Sequence, residues 1–148
     1  LREKQKAKRL YSVLESQFAR YYKTAIKSPQ NTGEVLLQLL ETRLDNLVYK
    51  FSFTQSRSLA RQLVTHGNVL VDGKKLDIAS YNVKPGQTIS LSSKGQKLNH
   101  VTEAMAKPSP LPKWLERKAM VGKLSRLPNR EEIDVDIKDN LIVEYYSR

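Results

Sequence analysis

Arg57 and Arg61 stand four residues apart, so on a helix they lie one turn from each other on the same side. Two guanidinium groups at that spacing can grip adjacent phosphates, and arginine can do so bidentately. Lys74 and Lys75 follow in tandem and extend the positive surface. Covalent chemistry has far fewer candidates. His66 and His100 are the two histidines, and neither sits in a nucleophile motif. His66 falls where a helix should end, a place where an imidazolium interacts well with the helix dipole. Gly33 and Gly67 are isolated, so no glycine-rich loop cradles a phosphate. The acidic run Glu131, Glu132, Asp134, Asp136 and Asp139 lacks the central Gly and terminal Glu of a calcium loop, and reads as a solvated strand edge. Cysteine is absent, which removes disulfides and thiolate metal centres and fits a reducing compartment. The expectation is a binding protein with no catalytic residues, no metal and no cofactor.

The stretch from Ser56 to Leu91 must position the basic groups. Ser56 can cap a helix on which Leu59, Ala60, Leu63 and Val64 share one face. The helix N-terminus, with its free N–H groups, is itself a ready anion site. Gly67 supplies the left-handed residue that stops the helix. Val69 and Val71 alternate, and Asp72-Gly73 is a tight hairpin signal. Lys84-Pro85-Gly86 makes a second turn before Ile89 and Leu91 alternate again. A short helix packed on a small sheet is expected, with cations at its rim.

Around this stretch, residues 1–27 read as one amphipathic helix whose face carries Leu10, Tyr11, Leu14, Phe18, Tyr21, Tyr22, Ala25 and Ile26. Its tyrosines favour packing on protein over lying in a membrane surface. A second helix starts near Thr32, with Leu36, Leu39, Leu40, Leu44, Leu47 and Phe51 as its stripe. Arg43 and Lys50 interrupt that stripe, which places a break and a domain junction near Thr42, the alternative being a cleft lined by the two cations. Three prolines in Lys107–Pro112 forbid a helix, so residues 108–130 read as a basic loop anchored by Trp114. Ile133, Val135, Ile137 and then Leu141, Val143, Tyr145 alternate about Asp139-Asn140, which predicts a closing pair of extended strands. No apolar run approaches the ~20 residues that cross a bilayer. The chain opens on Leu1 rather than Met, so an upstream segment is expected.

Over 148 residues, 26 Lys and Arg oppose 15 Asp and Glu, for a net charge of +11. Such an excess favours a polyanion, and nucleic acid is the commonest. A DNA-reading helix-turn-helix needs an exposed second helix. The helix after Ser56 is short and runs straight into a hairpin, a composite better suited to the phosphates and 2′-hydroxyls of folded RNA.

Arg43-Leu44-Asp45-Asn46, Ser56-Arg57, Ala60 to Val64, His66-Gly67 and Val69 to Gly73 together resemble the RNA-binding module named after ribosomal protein S four. Glu3 to Lys6, Gln17-Phe18, Leu36 to Leu40, Val83 to Gly86 and the terminal Leu141 to Arg148 extend the likeness to the bacterial-type ribosomal S four family across nearly the whole chain. The resemblance implies an α+β protein: a helical lobe and an alpha-L module of short helices packed on a small antiparallel sheet. It sets residues 1–41 as the helical domain, completed by part of 108–148, residues 42–107 as the module, and 108–148 as a basic loop and terminal strands. It implies direct binding to small-subunit rRNA at a multi-helix junction of the 5′ domain, early in assembly. Neighbouring ribosomal proteins and the mRNA entrance would lie close by, with mRNA a further partner, repression of its own translation in some members, no membrane, and a cytoplasmic or organellar ribosome as location. Arg2, Lys4, Lys6, Lys8, Arg9, Arg20, Lys23, Arg43, Arg57, Arg61, Gln62, His66, Lys74, Lys75 and Lys84 would face RNA. Asn68 and Asp72 replace the family's more usual His and Asn, which weakens one contact at Asn68. The family's N-terminal segment, a zinc site in some members, is missing. The alternative is a module that regulates or is appended to an RNA-modifying enzyme.

Overall fold

A computed structural model describes residues 2–147 as an α+β protein with two compact units, one of Thr42–Leu127 and one of the chain up to Glu41 together with residues from Pro128 onward. In the latter unit the basic opening is two helices rather than one: α1 (Arg2–Tyr11) and α2 (Glu15–Ile26). Ser12 takes φ +56°, and the Ser12 and Val13 amides donate back to the Arg9 and Lys8 carbonyls at 3.3 and 2.9 Å. This is a Schellman stop made without glycine. The break re-aims the apolar face, so Ala7, Tyr11, Phe18 and Ala25 are buried while Leu10, Leu14 and Ile26 are exposed. Helix α3 (Thr32–Glu41) adds Leu36, Leu37 and Leu40 to the same core. Tyr11, Phe18, Tyr21, Tyr22 and Ala25 of the expected face are thereby spent on packing against protein.

The second unit opens with α4 (Leu44–Lys50) and α5 (Arg57–Thr65). Ser56 caps α5, its Oγ accepting from the Leu59 amide at 3.2 Å. Gly67, at φ +78°, ends it with the same Schellman pattern, Asn68 N–H reaching the Leu63 carbonyl at 3.1 Å. The chain then forms β1 (Val69–Val71) and β2 (Lys74–Lys75) about Asp72-Gly73, both at positive φ as a type I′ hairpin requires. Strand β3 (Thr88–Leu91) pairs on the other side of β1, and α6 (Ser93–Gln96) and α7 (Asn99–Ala106) follow. Residues 108–130 are not a loop throughout. They contain β4 (Leu115–Lys118) and β5 (Val121–Leu124), which complete an antiparallel sheet of order β2-β1-β3-β5-β4. Trp114 is buried with Leu115 and Leu124 in the core beneath that sheet. The turn carries Ala119 at φ +51° instead of a Gly or Asn. Gly122 lets the ring of Phe51 reach the sheet, since a Cβ there would stand 2.6 Å from that ring.

The chain then returns to the first unit, where the expected terminal strands are not found. Residues 133–138 are irregular, and α8 (Asp139–Tyr146) is a helix. Arg130 holds the irregular part: its guanidinium donates to Asp139 Oδ1 at 2.9 Å and to the Ile133 and Ile137 carbonyls at 3.2 and 2.8 Å. Ile142 and Tyr146, four apart on α8, are the residues that pack inward, with Tyr146 stacked on Tyr22 at 4.6 Å. The helical period wins over the apparent alternation because Leu141 is left 43% exposed.

Candidate nucleic-acid interface

Helix α5 presents its apolar residues to the core and its polar ones outward, so Arg61, Gln62 and His66 are all exposed. Arg57, in the first turn, is half-buried and braced from two sides. Its Nε donates to Asn46 Oδ1 at 2.9 Å, and its guanidinium lies 4.6 Å from the centroid of the Tyr49 ring. Stacking and hydrogen bonding fix the plane of that guanidinium before any ligand arrives, which lowers the entropy cost of a bidentate contact. At the other end of α5, Gly67 admits the end of the Lys75 side chain where a Cβ would sit. The Lys75 ammonium is thereby brought beside the carbonyl end of α5, near His66. Arg57 and Arg61 thus share one side of a nine-residue helix, roughly 13 Å long at the usual rise, and His66 and Lys75 stand at its C-terminal end. Lys74 and Lys84 are exposed on the adjoining hairpin and turn. The bracing residues Asn46 and Tyr49 were not singled out from sequence; Asn46 belongs to the Arg43–Asn46 motif, but nothing in it says which residue it supports.

Arg43, expected to face RNA, is instead 1% exposed, and its Nε and Nη2 each donate to the Asp45 carboxylate at 3.1 Å. The break between α3 and α4 turns this arginine inward, where it pairs locally. Lys4, also expected to face RNA, is likewise turned inward. It is 5% exposed, donates to Glu15 at 2.9 Å and lies 4.6 Å from the Tyr145 ring centroid. Lys8 shares the same carboxylate at 2.8 Å, with only 16% of its side chain exposed. The turn at Ser12 is what folds Glu15 back beneath both lysines. Lys6 is more open and pairs with Asp136 at 3.2 Å. Arg2, Lys6 and Arg9 line one groove with Glu3 and Asp136, of mixed sign, while Arg20 and Lys23 are exposed on α2. Asn68 is buried: its Oδ1 accepts from Ser92 Oγ at 3.1 Å, and Ser92 in turn caps α6. It braces the fold and presents nothing outward. Arg117, Lys118 and Lys123 enlarge the basic population of the sheet and were hidden inside a segment read as loop.

The charge is unequally divided. Residues 42–127 hold 15 Lys and Arg against 5 Asp and Glu, net +10, and the rest of the chain holds 11 against 10, net +1. The basic α1–α2 region is therefore offset within its own unit, and the surplus belongs to the unit that carries α5. Around Glu15, the hydrogen bonds from Lys8 and Lys4 hold its carboxyl below the usual range. Burial disfavours the Lys4 charge, but the hydrogen bond and charge of Glu15 outweigh it and the pKa rises. Tyr146 is raised by burial and by the neighbouring Glu15 charge. These are the signatures of an internal ion cluster.

The two imidazoles stand on separate elements, His66 closing α5 and His100 lying in α7. Among the described residues no cluster of three or more His, Asp or Glu is arranged to hold a metal, and no helix is long and apolar enough to cross a membrane. Two family profiles match, one described as the S4 domain over residues 42–89 and one as the ribosomal protein S4/S9 N-terminal domain over residues 1–41. The small ribosomal subunit protein uS4 of Natranaerobius thermophilus is 49% identical over the whole of this chain and 73% of its own length. Those of Dictyoglomus turgidum and Acetivibrio thermocellus are 53% and 51% identical over the same shares. With family profiles matching residues 1–89 and about half of all positions shared with relatives along the whole chain, the chain belongs to the uS4 family of RNA-binding small-subunit ribosomal proteins, whose members are structural components and not enzymes.

Proposed function

We propose that this protein binds small-subunit rRNA directly through the outer side of α5 and the adjoining hairpin, as a structural constituent of a cytoplasmic ribosome. The observation that carries the reading is the braced Arg57 one helical turn from the exposed Arg61, with Lys75 at the far end of the same helix. Arginine and lysine cations held on and beside a rigid helix supply phosphate contacts at fixed spacing, and rigid presentation favours one backbone path over others. The family resemblance points to a multi-helix junction of the rRNA 5′ domain as that path, reached early in assembly. Neighbouring ribosomal proteins and the mRNA entrance would be close by. Arg2, Arg9, Arg20 and Lys23 would add peripheral contacts, and Lys74 and Lys84 would extend the main set.

Affinity for a transcript of the small-subunit rRNA 5′ domain, measured beside an unrelated structured RNA of equal length, tests the proposal. A preference of 10³-fold or more at about 0.15 M salt is expected, within the ordinary span of specific over non-specific binding for DNA-binding proteins. Equal affinities would leave only the general attraction of a basic protein.

A further inference from the structure

Beside Lys74 and Lys75, a groove of about 400 Å³ lies between the β1–β2 hairpin and the segment from Tyr81 to Gln87. Its apolar parts are Val71 and Leu76, and the Tyr81 side chain and the Gln87 amide complete it. We infer that this groove receives one unstacked nucleobase, with the attached phosphate held by Lys74, which shares the Val71 side of the hairpin. The inference rests on the reading that this face of the protein meets RNA, and it adds what the face does with a base.

The Gln87 amide carries the argument. Its Oε1 accepts from the Lys84 backbone N–H at 2.8 Å and from the Tyr81 hydroxyl at 3.0 Å. A backbone N–H can only donate, so the atom it meets must be the amide oxygen and the orientation of the amide is fixed. The opposite NH2 end is consequently a pair of donors on the groove that Gln87 lines, ready for the ring nitrogens and carbonyls on the edge of a base. The same bond fixes the Tyr81 hydroxyl and so steadies its ring, which offers an aromatic surface next to the aliphatic Val71 and Leu76. A phosphate alone would gain nothing from these three side chains. A base within a duplex offers only its edge to a recess, whereas an unpaired base can enter face and edge together. Asp72 also borders the groove, but its Oδ1 accepts from the Thr88 amide and hydroxyl at 2.9 and 3.2 Å. Its charge is tied to the sheet, which leaves the phosphate to the lysine side.

Titration of the isotope-labelled full chain with adenosine and uridine 5′-monophosphates, followed by amide NMR, tests this without any rRNA. Inorganic phosphate serves as the control. Nucleotides are expected to shift Leu76, Tyr81 and Gln87 together with Lys74, and phosphate only Lys74 among these four. Gln87→Glu keeps both accepted hydrogen bonds while removing the donors and adding a negative charge, so it should retain the melting temperature and bind nucleotide roughly tenfold more weakly, a larger loss than the charge alone produces for inorganic phosphate. Identical shift patterns for phosphate and nucleotide would overturn the inference, as would nucleotide affinity unchanged in Gln87→Glu. Either result would leave the rRNA proposal standing, because that is carried by Arg57 and Arg61 on α5 and needs no base in the groove.

Discussion

At the scale of single residues, Arg43 and Arg57 look alike in sequence and have opposite roles. Arg43 is sealed against Asp45, itself 4% exposed, and helps to join the backbone at the start of α4. Removing one partner of such a pair strands a buried charge, so Arg43→Ala is expected to cost about 3–5 kcal/mol. Thermal denaturation would show this as a lowered melting temperature, and the fraction that remains folded should bind RNA with unchanged salt dependence. Arg57 is half-buried and braced, so Arg57→Lys should leave the melting temperature within a few degrees. Lysine cannot reproduce the stacked, planar fork, and a titration with the rRNA 5′ domain should register a loss of roughly 5–10-fold in affinity. The apolar spacing on α5, its Ser56 cap and the Asp72-Gly73 turn were legible in the sequence because each is a local rule. The fates of Arg43 and Lys4 were not, because each depends on a carboxylate that a backbone turn brings into reach.

At the scale of elements, three helices end in the same way with different residues. Ser12, Ser52 and Gly67 all take positive φ, at +56°, +64° and +78°, and the residue after each returns a hydrogen bond to the helix. Only the glycine announces its stop. Serine in the left-handed region is paid for by the next residue: Val13 and Phe53 are buried immediately after it. The same reasoning explains the unforeseen β4–β5 hairpin, whose turn has Ala119 where the usual signal is Gly or Asn. That hairpin docks through Arg117, which donates to the Phe51 carbonyl at 2.6 Å, and through Gly122 under the Phe51 ring. Gly122→Ala should therefore cost about 1–3 kcal/mol by overpacking, measurable by urea denaturation. The Glu15 cluster joins α1, α2 and α8, with Tyr146 also donating to Glu15 at 3.3 Å. A carboxyl whose folded pKa is lowered contributes stability that is present above its ordinary value and is lost as pH falls through the folded one. Glu15→Gln is expected to lower stability at neutral pH by about 1–2 kcal/mol, kept small because Glu15 is half exposed. The gap between the two proteins should close as pH falls from neutral through and below the ordinary glutamate range; a gap that stays constant on acidification would show that the ion pairs do not set it.

At the scale of the molecule, nearly all the net charge resides in the unit of residues 42–127. Composition alone made a polyanion partner legible, but it spread the basic charge over most of the chain. The fold concentrates it, because α1 turns Lys4 and Lys8 inward and the acidic residues after Pro128 belong to the same unit as α1. Binding should depend steeply on salt, since each neutralised phosphate releases condensed counterions. The slope of log affinity against log salt, taken on the rRNA 5′ domain transcript, is the most direct test that the cations on and beside α5 supply those contacts. Arg61→Ala and Lys75→Ala should each reduce the slope by about 0.7–0.9, and the exposed Lys27→Ala on the other unit should leave it unchanged. Equal slopes for all three variants would contradict the assignment of this helix as the principal RNA-binding element.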